Sequence, residues 1–169
     1  MLRRSALPWI LLVVIAAAFG WQKVTDGSDS PASSERARVV RVVDGDTILV
    51  AVSGRQERVR YIGVDTPESV KPGTPVQCYA KRASAFNKKL LAGRTVRLVP
   101  DVEARDRYGR LLAYVYREPD GLFVNAELAR DGYARTLTIA PNVRYAGRFR
   151  ALAAAARQAG RGLWTACER

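Results

Sequence analysis

The chain contains no histidine. That absence removes the commonest general base near neutral pH and the commonest transition-metal ligand. Any hydrolytic chemistry here rests on carboxylates, arginines, water and an oxygen-loving ion such as Ca²⁺ or Mg²⁺. Cysteine is nearly absent too. Cys78 and Cys167 are the only two, with no C-x-x-C spacing, which excludes a thiolate zinc site. No internal repeat is present. Acidic residues are outnumbered by basic ones, 16 against 28, leaving a net charge of +12 in 169 residues.

Nearly half the residues are hydrophobic, enough for one packed domain plus a short extension. All but one unit of the net charge lies beyond residue 36, because Arg3, Arg4, Lys23 and Arg36 stand against Asp26, Asp29 and Glu35 before it. A domain this basic attracts polyanions, nucleic acid first and anionic membrane surface second. Charge does not choose between them, nor between binding and catalysis.

Residues 1–21 read as an export signal or an uncleaved membrane anchor. Arg3 and Arg4 precede an uncharged apolar run from Ala6 to Trp21, and Ala16-Ala17-Ala18 offers the small-residue pattern of a cleavage site. The run is short for a spanning helix, which needs about 20 apolar residues; a buried N-terminal helix is the third reading. Either leading case places the domain outside the cytoplasm, secreted or periplasmic and free or anchored. No cysteine follows the run to carry a lipid. An oxidising compartment would let Cys78 and Cys167 pair, and closing a loop of about 90 residues is worth roughly 4–5 kcal/mol in the chain-entropy model. Two unrelated thiols are the alternative.

Residues 22–36 are polar and rich in serine, with Gly and Pro, and read as a flexible linker. The domain is expected over 37–169. Strands are expected over 38–43, 47–52, 57–64, 94–99 and 111–117, and helices over 76–91, 124–130 and 142–159. In the last helix Tyr145, Phe149, Leu152, Ala153 and Ala156 share one face, with Arg148, Arg150 and Arg157 elsewhere. Strands first and then helices mixed with strands indicate α+β, a small barrel with helices packed on it.

Three polar blocks carry the chemistry: Asp44-Gly45-Asp46-Thr47; Arg60 leading into Asp65-Thr66-Pro67-Glu68; and Arg107-Tyr108-Gly109-Arg110. Taken singly each has a bland reading. Asp-Gly-Asp makes a turn, Asp65-Thr66-Pro67 a loop or helix cap, Arg60 a salt bridge with Glu57 or a nearby carboxylate, and Arg110 an exposed hairpin arginine. Taken together, two carboxylates at strand ends need a cation between them, and two guanidinium forks suit one phosphate.

In order and spacing these blocks resemble the staphylococcal-nuclease-like (thermonuclease) family over Ala37 to Trp164. The motifs are Val-Val-Asp-Gly-Asp-Thr, Arg-Tyr-Ile-Gly-Val-Asp-Thr-Pro-Glu and Asp-Arg-Tyr-Gly-Arg-Leu-Leu-Ala-Tyr-Val, with Ala83-Ser84-Ala85-Phe86, Val124-Asn125 and Gly162-Leu163-Trp164 as further matches. The resemblance implies a five-stranded OB-fold barrel with three helices, acting as a Ca²⁺-dependent nuclease on DNA and RNA that leaves 3′-phosphate ends. It implies that Asp46 and Asp65 bind the metal with the backbone carbonyl of Thr66, and that Glu68 assists the attacking water. It implies that Arg60 and Arg110 hold the scissile phosphate, and that Arg107 and Tyr108 contact a terminal phosphate. A monomer is expected, with no protein partner. The loop Arg135–Asn142 departs from the family pattern, because it lacks the aromatics that contact the nucleotide. Such stacking is worth about 1–3 kcal/mol per base. The competing expectation is a non-catalytic OB module binding nucleic acid at the cell surface.

Overall fold

The computed structural model describes residues 33–69, 73 and 75–167. The proposed signal or anchor and most of the proposed linker lie outside these residues. Among the described residues no helix is long and apolar enough to cross a membrane.

Five strands close into a barrel: β1 (Glu35–Val42), β2 (Thr47–Val52), β3 (Arg55–Tyr61), β5 (Thr95–Val99) and β6 (Leu111–Arg117), in the order β1-β2-β3-β6-β5. The barrel closes because β1 serves two partners. Glu35–Arg38 pair with β5, and Arg38–Val42 pair with β2 across a register shift between Val39 and Arg41. An irregularity of this kind bends a strand far enough to leave one neighbour and join the next. The only parallel pairing within the barrel is β3 with β6. Ala37, Val39, Ile48, Val50, Val59, Val96, Leu98, Ala113 and Val115 are buried, as period-two alternation along half-buried strands requires. The α+β reading and the five-stranded OB barrel are thus what the chain adopts. Its first strand begins at Glu35, two residues before the expected domain start.

One expected strand is divided. The segment 57–64 breaks at Ile62 into β3 and the short β4 (Gly63–Asp65), which leaves the barrel to pair with β7 (Arg135–Leu137). Gly63 takes a positive φ of 83°, and a Cβ there would lie 2.3 Å from the Phe149 ring, so the corner requires glycine. Because of the break, the alternation of an unbroken 57–64 strand, which would set Arg58, Arg60, Ile62 and Val64 on one face, does not continue past Tyr61. Val59 and Tyr61 take the buried positions on β3, and Ile62 and Val64 are buried beyond the corner.

The helices are α1 (Ala80–Leu91), α2 (Val124–Arg130), α3 (Ala146–Gln158) and a single turn, α4 (Leu163–Ala166), that was not expected. α1 starts four residues later than expected because Tyr79 sits at a left-handed φ of 70°, which no helix interior accommodates. α3 also starts four residues late. Asn142 does not open it; its side chain is clamped to the Glu103 backbone, accepting from the N–H at 2.8 Å and donating to the carbonyl at 2.8 Å. The core face of α3 is as expected: Phe149, Ala153 and Ala156 are buried, while Arg148, Arg150 and Arg157 are exposed. Phe149 joins Tyr114, Phe123 and Tyr145 in an aromatic cluster that seats α3 on the barrel.

A disulfide joins Cys78 to Cys167, with Cα atoms 5.9 Å apart, and ties the end of the described chain to the segment before α1. α2 is tied to the barrel by Asn125, which is fully buried. Its Oδ1 accepts from Val115 N–H at 2.9 Å, and its Nδ2 donates to the Ile62 carbonyl at 2.9 Å. One side chain thus satisfies the backbone at the corner where β3 ends. Asn125→Ala would leave both groups buried and unpaired, and we expect a loss of about 2–4 kcal/mol in chemical denaturation. A loss below about 0.5 kcal/mol would mean that the corner does not depend on Asn125.

Candidate active site

The site lies where β2, β3 and β4 meet. Thr47 opposes Arg60 across the β2–β3 ladder, so Asp46, one residue before Thr47, falls beside the arginine. Arg60 Nη1 is 3.3 Å from Asp46 Oδ2, and Nη2 is 2.7 Å from Asp65 Oδ1. Nη1 also donates to the Tyr61 carbonyl at 3.0 Å and the Val64 carbonyl at 2.7 Å. The Arg60 side chain is only 11% exposed. A charge this deep requires partners, and both are carboxylates expected at the site. Glu57 pairs with Arg105, so the salt bridge expected of Arg60 forms with the nearby carboxylates Asp46 and Asp65 instead.

Asp46 is buried and further fixed by Thr66, whose backbone N–H and hydroxyl donate to Oδ2 at 2.7 and 2.9 Å, while Thr47 Oγ1 donates to Oδ1 at 3.2 Å. This approach needs Gly45, because a Cβ there would come within 2.6 Å of Thr66 Oγ1. The Asp44-Gly45-Asp46 block is therefore both turn and site. The Asp44 side chain accepts from Asp46 N–H at 3.1 Å, and its carbonyl accepts from Asn87 Nδ2 at 3.0 Å.

The carboxylates press on one another. Burial and then the Asp46 charge push Asp44 up to about 6, with Glu68 adding to the rise. Asp65 is also pushed up, first by partial burial and then by Asp46 and Glu68, against the pull of Arg60. Glu68 is thus close enough for its charge to reach both aspartates. Among the described residues no three acidic, cysteine or histidine side chains form a metal-holding group. Asp46 and Asp65 supply two carboxylates, and the neighbouring backbone and water can complete a hard-cation shell. Oxygen donors alone, with mutually repelling charges, suit a hard divalent cation.

Arg60 also borders a cavity of about 480 Å³ that Arg107, Tyr108 and Arg110 line from the 103–112 loop. The chain therefore brings Asp46, Arg60, Asp65 and Thr66 into direct contact, puts Glu68 within electrostatic reach, and sets Arg110, Arg107 and Tyr108 around the same opening. Asp106 holds this second arginine. Its Oδ2 accepts from Arg110 Nε at 2.7 Å, and its Oδ1 accepts from the N–H groups of Tyr108 and Arg110 at 2.9 and 3.0 Å. Partial burial would raise the Asp106 carboxyl, but these donors outweigh it and hold it below the usual range. Sequence reading quoted Asp106 inside a motif without a role; an Asp four residues before an Arg across a Tyr-Gly turn was the available signal. Leu137 and Ile139 line the cavity from the loop that lacks aromatics.

The raised Asp44 carboxyl has a stability consequence. A folded value above the unfolded one means that the fold binds the proton more tightly. The contribution is full below about pH 4 and is lost as pH rises through about 6. In chelator, the wild type should lose on the order of 1–2 kcal/mol relative to Asp44→Asn between pH 4 and 7. Urea denaturation at both pH values reads this directly; parallel pH dependences in the two proteins would remove the electrostatic argument.

Comparison with known proteins places this geometry. A family model described as staphylococcal nuclease homologue matches residues 58–166. The chain is 44% identical over 136 residues to a protein named Thermonuclease from Staphylococcus hyicus, covering 80% of this chain and 79% of that protein. It is 52% identical over 118 residues to a Thermonuclease from Staphylococcus intermedius, covering 70% and 69%. Endonuclease YncB of Bacillus subtilis (strain 168) is 46% identical over 112 residues, 65% of this chain and 52% of that protein. The barrel, the carboxylate–arginine corner and this similarity agree, and the chain belongs to the staphylococcal nuclease homologue family.

Proposed function

We propose that the protein is an exported, Ca²⁺-dependent nuclease that hydrolyses phosphodiester bonds of DNA and RNA and leaves 3′-phosphate ends. That it is a nuclease follows from its family and its thermonuclease and endonuclease relatives. The observation carrying the finer reading is the shared contact of Arg60 with Asp46 and Asp65 at the edge of a cavity that Arg110 also lines. Export is supported by the basic, apolar N-terminus and by the disulfide.

In this reading Asp46, Asp65 and the Thr66 carbonyl would hold the ion, which when bound supplies positive charge beside the phosphate. Arg60 and Arg110 grip the non-bridging oxygens and stabilise the charge that builds on them as water adds. Asp106 keeps Arg110 aimed, so little reorganisation is needed when the charge develops. Glu68 orients the attacking water and takes its proton. The new bond is water oxygen to phosphorus; the broken bond is phosphorus to the 5′ oxygen. Arg107 and Tyr108, which line the same cavity, contact a terminal phosphate.

Arg60→Ala or Glu68→Ala should slow cleavage of single-stranded DNA in millimolar Ca²⁺ by about 10²–10⁴-fold. Chelator should stop the wild type, and Ca²⁺ should restore it. Wild-type cleavage by either folded variant would remove its assigned role. Wild-type cleavage unaffected by chelator would remove the metal.

A further inference from the structure

Glu68 is a demanding position for a group that must aim a water molecule. It follows Pro67 in a loop, outside any strand or helix, and it has no ladder to fix it. Yet its backbone is held at both ends by one residue nine positions further on. Glu68 N–H donates to Gln77 Oε1 at 2.8 Å, and Gln77 N–H donates to the Glu68 carbonyl at 3.0 Å. Gln77 thereby fixes the peptide groups on either side of the Glu68 Cα.

Gln77 needs an anchor of its own, because its side chain is exposed and it belongs to no regular element. The next residue provides it. Cys78 is bonded to Cys167, whose N–H donates to the Leu163 carbonyl at 2.9 Å. Leu163 is fully buried, and its own N–H donates to the Gly132 carbonyl at 2.9 Å. On the other side the Gln77 carbonyl accepts from Ala80 N–H at 3.1 Å, at the first turn of α1. A continuous covalent and hydrogen-bonded path therefore runs from the protein core through α4 and the disulfide to Gln77 and on to Glu68. Gln77, Cys78 and Cys167 also line a small cavity with Asp65, Thr66 and Pro67, directly against the carboxylate corner.

We propose that Gln77 is a positioning residue for Glu68, and that the Cys78–Cys167 disulfide is what holds Gln77 in place. The proposal rests on the role assigned to Glu68 above. Its effect falls on the chemical step: misaiming a group that acts on the attacking water costs rate, while the arginines that grip the phosphate lie elsewhere and leave binding unchanged.

The test is a set of purified, full-length variants assayed for kcat and KM on single-stranded DNA in saturating Ca²⁺. Gln77→Leu keeps the size but removes the acceptor, and kcat should fall about 10-fold with KM within about 2-fold. Gln77→Glu keeps an acceptor oxygen and should restore most of the loss. The Cys78→Ser/Cys167→Ser double variant should lower kcat several-fold in the same pattern. In a Glu68→Ala background, Gln77→Leu should have no further effect, since there is nothing left to position. Thermal unfolding of each variant separates loss of fold from loss of aim. A wild-type kcat for Gln77→Leu beside a slow Glu68→Ala overturns the positioning role and leaves the Glu68 assignment standing. An undiminished penalty in the Glu68→Ala background overturns it as well. A Glu68→Ala protein with wild-type kcat sinks both readings together.

Discussion

The buried Arg60 guanidinium organises everything around it. It bridges Asp46 at the start of β2 and Asp65 at the end of β4, and it takes the carbonyls of Tyr61 and Val64 from the corner between. This takes the forked guanidinium of an arginine. Lysine offers a point charge without the fork, and a neutral donor would leave two facing carboxylates uncompensated. The corner exists because Gly63 lets the chain leave the barrel beneath Phe149, and Asn125 caps the backbone it exposes. Barrel closure, the β3–β4 break and the seat of α3 therefore converge on the residue that also faces the cavity. The role proposed for Arg60 is therefore coupled to stability, since removing Arg60 would leave the Asp46 and Asp65 carboxylates without their principal counter-charge.

Much of this was legible in the sequence, and the reasons are physical. The barrel strands showed through period-two alternation, and α2 showed through its flanking residues, because local pattern and final burial agree there. The division of 57–64 did not show. Val59 and Tyr61 alternate with Arg58 and Arg60 on β3, Ile62 and Val64 are apolar beyond it, and only a long-range contact with Phe149 decides that Gly63 turns. The late starts of α1 and α3 did not show either. Helix is expected from Val76 and from Asn142, but Tyr79 takes a left-handed φ and Asn142 is engaged by Glu103, 39 residues away. Propensity is a weak prior against specific tertiary bonds.

The site residues were legible as types and only partly as arrangement. Two carboxylates and two arginines in spaced polar blocks announced phosphate and cation chemistry. The blocks did not reveal that Asp46 accepts from Thr66, that Asp44 is drawn into the same charged cluster, or that Asp106 carries Arg110. Those links depend on Gly45 fitting against Thr66 and on the turn between Asp106 and Arg110, which spacing suggests but does not fix. The disulfide was legible from compartment logic alone; its place against the carboxylate corner was not.

The carboxylates themselves weigh against a domain that only binds nucleic acid. A basic barrel gains affinity for a polyanion from each arginine and loses it from each acid placed near the phosphate path. This chain, with its net charge of +12, nonetheless gathers Asp44, Asp46, Asp65 and Glu68 into one interacting group, two of them paired with the Arg60 that lines a cavity with Arg107 and Arg110, and Asp44 and Asp65 are raised by burial and by their acidic neighbours. For simple binding that cluster is a defect that neutral side chains would repair. With a divalent cation the same cluster becomes attractive to phosphate and supplies a base next to it. The acids oppose binding by themselves and favour hydrolysis once a cation joins them, so their retention beside Arg60 and Arg110 supports chemistry over adhesion.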